Sequence, residues 1–245
     1  MDSGLRGRTV LITGAGRNIG RETARMCAEE GANLALCTRG NIDGLDETAA
    51  LVRAVGAKVV TAQCDVADGE QVKAFVATTM AELGRIDVAI NNAVHRAEGD
   101  FLTQTFAQWS RNIDVNLSGP FHVCQAVIPH MMEARFGRII NYSGIAPFIG
   151  HGPAKGVVKL GIVGFTRGLA REFGEHGVTA NCIGPGIVEV ERDPWQKEKA
   201  AFPGQPIPRM GTPTEIASLA VYLASEQAAF ITGQCYLANG GQYFL

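Results

Sequence analysis

The chain has 245 residues, a mass of 26.0 kDa and a formal net charge of −2. Hydrophobic residues make up 46% and charged residues 19%, which excludes a disordered chain and supplies one compact core. The 22 basic and 24 acidic residues nearly cancel, so bulk charge points to neither a nucleic acid nor an anionic membrane as partner. Six cysteines stand at 27, 37, 64, 124, 182 and 235, with no CxxC pair and no zinc spacing. That usage suits a reducing compartment, and no metal site is expected. The opening MDSGLRGRTVLITG has no apolar signal core, and no uncharged apolar run approaches the ~18 residues of a membrane span. A soluble, cytoplasmic protein is expected.

Strand and helix alternate along the chain. Residues 9–13 (TVLIT) form a short apolar strand that ends at glycines. Residues 17–30 read as a helix with Ile19, Thr23, Met26 and Cys27 on one face and Gly31 as the stop. A strand over 33–38, a helix over 43–55, a strand over 58–63, a helix over 69–83 and a strand over 86–91 follow. Residues 106–134 predict a long helix interrupted near Gly119-Pro120. A strand over 138–142, a helix over 153–176 and a strand over 178–183 come next. Residues 186–212, rich in Pro, Gly and charge, read as a loop or lid. A helix over 215–224 and a strand over 235–237 close the pattern. Short apolar strands separated by helices predict an α/β fold: a doubly wound parallel sheet, covered on both faces, in one domain over 1–245. Ligands of such sheets bind beyond the carboxyl ends of the strands.

The first strand runs into Thr13-Gly14-Ala15-Gly16-Arg17-Asn18-Ile19-Gly20 and then a helix. Such a turn lets backbone approach a pyrophosphate at the positive helix end. The plainer alternative is a turn that needs glycine for positive φ. Downstream stand Cys64-Asp65-Val66, Asn91-Asn92-Ala93, Asn116 in DVNLSGPF and Lys159 in VKLGIVGFTRGLARE. Asn181 through Gly186 (NCIGPG), Arg209-Met210-Gly211, Ile231-Thr232-Gly233-Gln234 and Asn239-Gly240-Gly241 complete the series. In this order, over nearly the whole chain, these segments resemble the classical short-chain dehydrogenase/reductase family.

The resemblance implies a Rossmann-type fold, a nicotinamide cofactor, a small-molecule substrate and a homo-oligomer, usually a tetramer. It places the cofactor against Gly14, Gly16, Arg17, Asn18, Ile19, Gly20, Thr38, Arg39, Asp65, Val66, Asn91, Ala93, Lys159, Pro185, Gly186 and Val188. The second strand ends at Thr38-Arg39, where an acidic residue would accept from the 2′-hydroxyl of NAD. Arg39, with Arg17 facing the same region in the related fold, can clamp a 2′-phosphate instead. NADP(H) is therefore expected in preference to NAD(H), the alternative being that both arginines face solvent. Asp65 is expected on the adenine amine, or as a helix N-cap. Asn91 is expected near the cofactor ribose, or as a turn residue at a strand end.

The family reduces carbonyls with Ser, Tyr, Lys and a supporting Asn, the tyrosine four residues before the lysine. Lys159 and Asn116 match, but Lys155 occupies the tyrosine position, and only Tyr142, Tyr222, Tyr236 and Tyr243 exist. The family's serine position falls on Gly144, with Ser143 its neighbour. Asn18, Val94 and Val190 also replace residues of the family pattern. Lys155 and Lys159 share a helix face, where like charge depresses an ammonium pKa. A lysine acid needs a fall from about 10.4 to about 7–8. Lys155 is alternatively a solvated lysine or an anchor for a substrate carboxylate. Tyr142 at a strand end, His151 one turn before Lys155, and then His95 are the other candidate acids. Cys124 and Cys182 read as core. Glu189, Glu191, Arg192 and Trp195 open the lid and suggest a polar substrate edge, or a solvated loop.

Three functions compete at this point. One is an NADP(H)-dependent oxidoreductase acting on a carbonyl or alcohol with a non-standard proton donor. The second is a non-redox lyase, isomerase or dehydratase on the same fold. The third is a catalytically silent binding subunit.

Overall fold

The computed structural model describes residues 3–96, 100–191, 200–201 and 203–244. Seven apolar strands form one sheet: β1 (Thr9–Thr13), β2 (Asn33–Thr38), β3 (Val59–Gln63), β4 (Val88–Asn91), β5 (Gly137–Tyr142), β6 (Val178–Pro185) and β7 (Cys235–Ala238). The order is β3-β2-β1-β4-β5-β6-β7 and every pairing is parallel. The order reverses between β1 and β4, which opens a crevice at their carboxyl ends.

Side chains alternate across the sheet, and the alternation sorts two cores. Val10, Ile12, Val88, Ile90 and Ile140 face α1 (Asn18–Glu29), α2 (Ile42–Ala54) and α7 (Pro213–Ala224). Leu11, Ala35, Ala89 and Ile139 face α3 (Gly69–Leu83), α5 (Gly119–Glu133) and α6 (Pro153–Phe173). This is a Rossmann-like α/β domain. Local chemistry sets the helix ends. Asp68 accepts from the backbone of Glu70 and Gln71 to start α3, and left-handed Gly84 stops it. Thr212 and Glu215 form a capping box at α7, with Pro213 in the first turn.

At the amino ends of the strands an ionic cluster holds the sheet floor. The buried Asp87 accepts from the Thr9 backbone N–H at 2.9 Å, Arg8 at 3.3 Å and Arg85 at 2.6 Å. Arg8 also pairs with Glu226. Arg8 and Arg138 stack against the Phe136 ring at 3.5 and 4.2 Å from its centroid.

Most predicted elements stand within two residues of their expected ends. The predicted helix over 106–134 breaks earlier than Gly119-Pro120. Here α4 (Phe106–Ile113) passes into a π-helical turn (Asp114–Ser118) before α5 begins at Gly119. Proline in a first turn loses no hydrogen bond, so Pro120 starts α5 rather than breaking a helix. The helix predicted over 153–176 ends at Phe173, with a 3₁₀ turn over Gly174–His176. Of the predicted lid over 186–212, Arg192 and Trp195 lie outside the described residues.

Candidate active site

The crevice at the strand reversal contains a cleft of about 750 Å³. The turn from β1 into α1 forms its floor. Gly14 has φ +66, and a Cβ there would stand 2.9 Å from the Ala93 backbone. A Cβ on Gly20 would meet the Gly14 carbonyl at 2.5 Å. Both glycines are therefore required for the backbone to fold this tightly. Asn92 fastens the turn by donating to the Thr13 and Gly14 carbonyls at 3.1 and 2.8 Å. Thr13 in return accepts from the Ala93 N–H at 3.0 Å.

Gly14, Gly16, Arg17, Asn18, Ile19, Gly20, Thr38, Arg39 and Ala93 all line this cleft. Arg17 is half-buried and Arg39 is exposed. An adjoining 140 Å³ recess is lined by Asp65, Val66, Cys64 and Arg111, and shares Thr38 and Arg39 with the first. Asp65 is already engaged: one oxygen pairs with Arg111 at 2.7 Å and the other accepts from Ala67 at 3.1 Å. The N-cap role falls to Asp68, not Asp65.

Asn18 does more than supply a turn. Its φ is +53, a left-handed value that asparagine tolerates better than most side chains. Its amide donates to the Glu191 carbonyl at 3.1 Å and accepts from the Glu191 N–H at 2.8 Å. This two-point clamp ties the segment after β6 to the glycine turn and brings Val190 and Glu191 to the cleft wall.

Asn91, Pro185, Gly186 and Val188, like Lys159, are absent from the linings of both recesses. Asn91 belongs to β4, and alternation turns its side chain beneath α5. There it donates to Asn141 at 2.8 Å, and Asn141 donates to Thr166 at 2.9 Å. Val188 is buried with the α7 core and bridged to Gly211. Pro185 and Gly186 extend β6 toward β7, where the Gly186 N–H donates to the Ala238 carbonyl at 3.0 Å. None of these four lines the cleft.

The candidate chemistry gathers where α6 meets β5 and the π turn. Lys159 donates to the Tyr142 carbonyl at 3.0 Å. Burial, with Lys155 and Arg96 adding like charge, lowers its pKa to about 8. Ser143 is buried and donates to the Lys159 carbonyl at 2.6 Å, so it fastens β5 to α6. Asn116 is buried and donates to the His95 carbonyl and the Asn112 side chain at 2.9 and 3.0 Å. Asn112 donates onward to the Ala154 carbonyl at 2.9 Å, tying the first turn of α6 to α4. Gly161 leaves a notch that Leu117 fills, since a Cβ there would stand 3.1 Å from it. Lys155 sits one turn before Lys159 and is exposed, as is His151.

Tyr142 does not join this group. Its side chain points to the opposite sheet face, into the α1 and α7 core beside Thr23. Burial drives its hydroxyl well above the ordinary tyrosine pKa. The same alternation that buries Asn91 explains both placements.

The family described as enoyl-(acyl carrier protein) reductase matches residues 14–242. The chain is 36% identical over 253 residues to 3-oxoacyl-(acyl-carrier-protein) reductase FabG of Chlamydia muridarum, covering 98% of this chain and 99% of that protein. It is 35% identical over 241 residues to the Staphylococcus aureus protein of the same name, covering 96% and 98%. The chain belongs to the short-chain dehydrogenase/reductase family. Among solved structures of this family, a short-chain type dehydrogenase/reductase from Mycobacterium marinum superposes with a TM-score of 0.88 at 30% identity, over 97% of this chain and 96% of that one. Levodione reductase superposes equally, with a TM-score of 0.88 at 30% identity over 97% and 98%. An oxidoreductase of this family is thereby indicated.

Sequence reading missed Asn92, Asn112 and the outward reach of Asn18. Asn92 was legible, because it follows the strand end where alternation stops. Asn112 was not, because its partner, the Ala154 carbonyl, lies 42 residues away in sequence.

Proposed function

We propose that the protein transfers hydride between NADP(H) and a small carbonyl or alcohol, with Lys155 in place of the usual tyrosine acid. The observation that carries this reading is the glycine-floored cleft, whose Thr38-Arg39 wall lacks an acidic group and faces Arg17. Its close backbone packing suits a pyrophosphate, and the Arg17 and Arg39 guanidinium groups suit a 2′-phosphate. When bound, the nicotinamide supplies or accepts the hydride. Arg17 and Arg39 bind the adenosine end. Asn18 holds the Glu191 segment across the cleft. Lys159, held by the Tyr142 carbonyl, serves the ribose side. The Lys155 ammonium gives its proton to the carbonyl oxygen as that oxygen gains charge. Its exposed position lets water restore the proton. Ser143 and Asn116 position α6 and the His95 loop.

Exposed Phe121, Val157 and Leu160 on α5 and α6 support a homo-oligomer, the tetramer of the resemblance. Six free cysteines fit a cytoplasmic protein. No helix among the described residues is long and apolar enough to cross a membrane.

Calorimetric titration with NADPH and NADH tests the cofactor reading. Tighter binding of NADPH is expected. Preference for NADH would overturn the Arg17/Arg39 assignment. Failure to bind either would favour the silent subunit or the non-redox enzyme. Lys155→Met should slow ketone-dependent NADPH oxidation by about 10²–10⁴. An unchanged rate would remove Lys155 as the acid.

A further inference from the structure

None of the cysteines takes part in the proton or hydride steps, and all six are free thiols. Cys27 and Cys124 are buried, and burial pushes each up to about 12, which makes them inert. Cys182 and Cys235 are placed differently. They are direct register partners on β6 and β7, so both side chains leave the same face of the sheet. The two thiols sense each other, Cys235 pushing the Cys182 thiol well up and Cys182 holding the Cys235 thiol down. Adjacent strands run about 4.7–4.9 Å apart. A disulfide accepts Cα separations of about 4.4–6.8 Å.

Their exposure differs in a useful way. Cys182 is buried against Ile162 and Val163 of α6. Cys235 is half-buried and lines a separate cavity of about 580 Å³ beside Tyr236, Asn239 and Tyr243. The neighbouring Cys182 thiol lowers the Cys235 thiol, and the charge of Arg167 adds to this. A small oxidant therefore reaches Cys235 first and finds Cys182 behind it.

The geometry points to a redox-modification site at this pair, in which peroxide oxidises Cys235 and Cys182 resolves it as a disulfide joining β6 to β7. The Cys235 thiolate attacks one peroxide oxygen. The O–O bond breaks, hydroxide leaves and takes a proton to become water, and Cys235 becomes a sulfenic acid. The Cys182 sulfur then attacks the Cys235 sulfur. The S–O bond breaks, and the departing hydroxide takes the remaining thiol proton as a second water. Two thiols lose two electrons and two protons, and one peroxide becomes two waters. Cys182 acts electrostatically on Lys159, and the next residue, Ile183, accepts from the Ser143 N–H at 2.8 Å. The new bond thus fixes the β6 backbone beside the active site. Cys37 and Cys64 form the other thiol pair, but Cys37 is fully buried and Cys64 shows only 3% of its surface at the edge of the 140 Å³ recess.

The full-length reduced protein is treated with hydrogen peroxide, alkylated, and digested with trypsin without reduction. The expected product joins the peptide 172–192 to the peptide 210–245, lighter by two hydrogens, and dithiothreitol separates them. Cys235→Ser should abolish this product and Cys64→Ser should leave it. Before oxidation, iodoacetamide should label Cys235 at least tenfold faster than any other cysteine. The proposal fails if Cys235 ends as a sulfinic acid without a cross-link, stays unmodified, or if the cross-link joins the peptides of Cys37 and Cys64. The wild-type peptide map alone decides between these outcomes, whatever the variants do.

Discussion

Asn18 carries two separable contributions, and two substitutions divide them. Asn18→Gly removes both bonds to Glu191 but accepts φ +53 without strain. Asn18→Ala removes the same bonds and adds a Cβ to a left-handed backbone. A net hydrogen bond is worth about 0.5–1.5 kcal/mol, and exposed ones fall at the low end, so the clamp contributes about 1 kcal/mol. Left-handed backbone costs an ordinary L-residue about 1–2 kcal/mol. Asn18→Gly should therefore lie within about 1 kcal/mol of the parent, and Asn18→Ala about 2–3 kcal/mol below it. Helix propensity predicts the reverse order, because alanine exceeds glycine by about 1 kcal/mol and Asn18 is the first residue of α1. Urea unfolding at constant m-value reads the difference. If Asn18→Ala equals or exceeds Asn18→Gly, the left-handed turn is refuted, and if Asn18→Gly is more stable than the parent, the clamp is. Both variants free the Glu191 segment, and stopped-flow displacement should show NADPH leaving several-fold faster from each.

The remaining predictions concern the half-buried Lys159, the sheet floor and the glycine turn. Lys159 titrates near 8 in the folded chain against an ordinary 10.5, so the unfolded chain binds more protons between these values. The burial cost is fully present below pH 8 and is relieved as pH rises toward 10.5. Stability relative to a Lys159→Met variant should rise across that window, on the order of 2–3 kcal/mol, in urea melts at stepped pH. A flat difference would mean that Lys159 titrates normally. Asp87→Ala leaves Arg8 and the Thr9 N–H without their buried acceptor and should cost about 3 kcal/mol in the same assay. A loss below about 1 kcal/mol would show that the cluster is solvated. Gly14→Ala should abolish detectable nucleotide binding by calorimetry, because its Cβ drives into Ala93 and φ is +66. Retained affinity would contradict the cradle.

How much of this was legible depends on which physical signal each residue carries. Apolar runs bounded by glycine marked every strand, since parallel strands covered on both faces read as continuous hydrophobic segments. Side-chain direction is legible from strand alternation. Counting alternation from Ile140 places Asn141 beneath α6 and Tyr142 in the α1 core. Counting from Ile90 turns Asn91 away from the cleft and leaves Asn92 to hold the turn. The π turn over Asp114–Ser118 was not legible, because the α6 surface it packs against, where Leu117 meets Gly161, is distant in sequence. The reach of Asn18 to Glu191 was hidden for the same reason: 173 residues separate the partners.

The ionic cluster around Asp87 lies at the amino ends of β1, β4 and β5, and the clefts lie beyond the opposite ends. A strand of five residues spans about 17 Å, beyond the distance at which substitutions usually couple. The molecule can therefore be reinforced at one pole without retuning the other. Added charge pairing around Arg8, Phe136 and Glu226 would create a reserve of stability. Against that reserve the residues of α6 could be varied freely, including replacements at position 155 that a marginal parent would not survive.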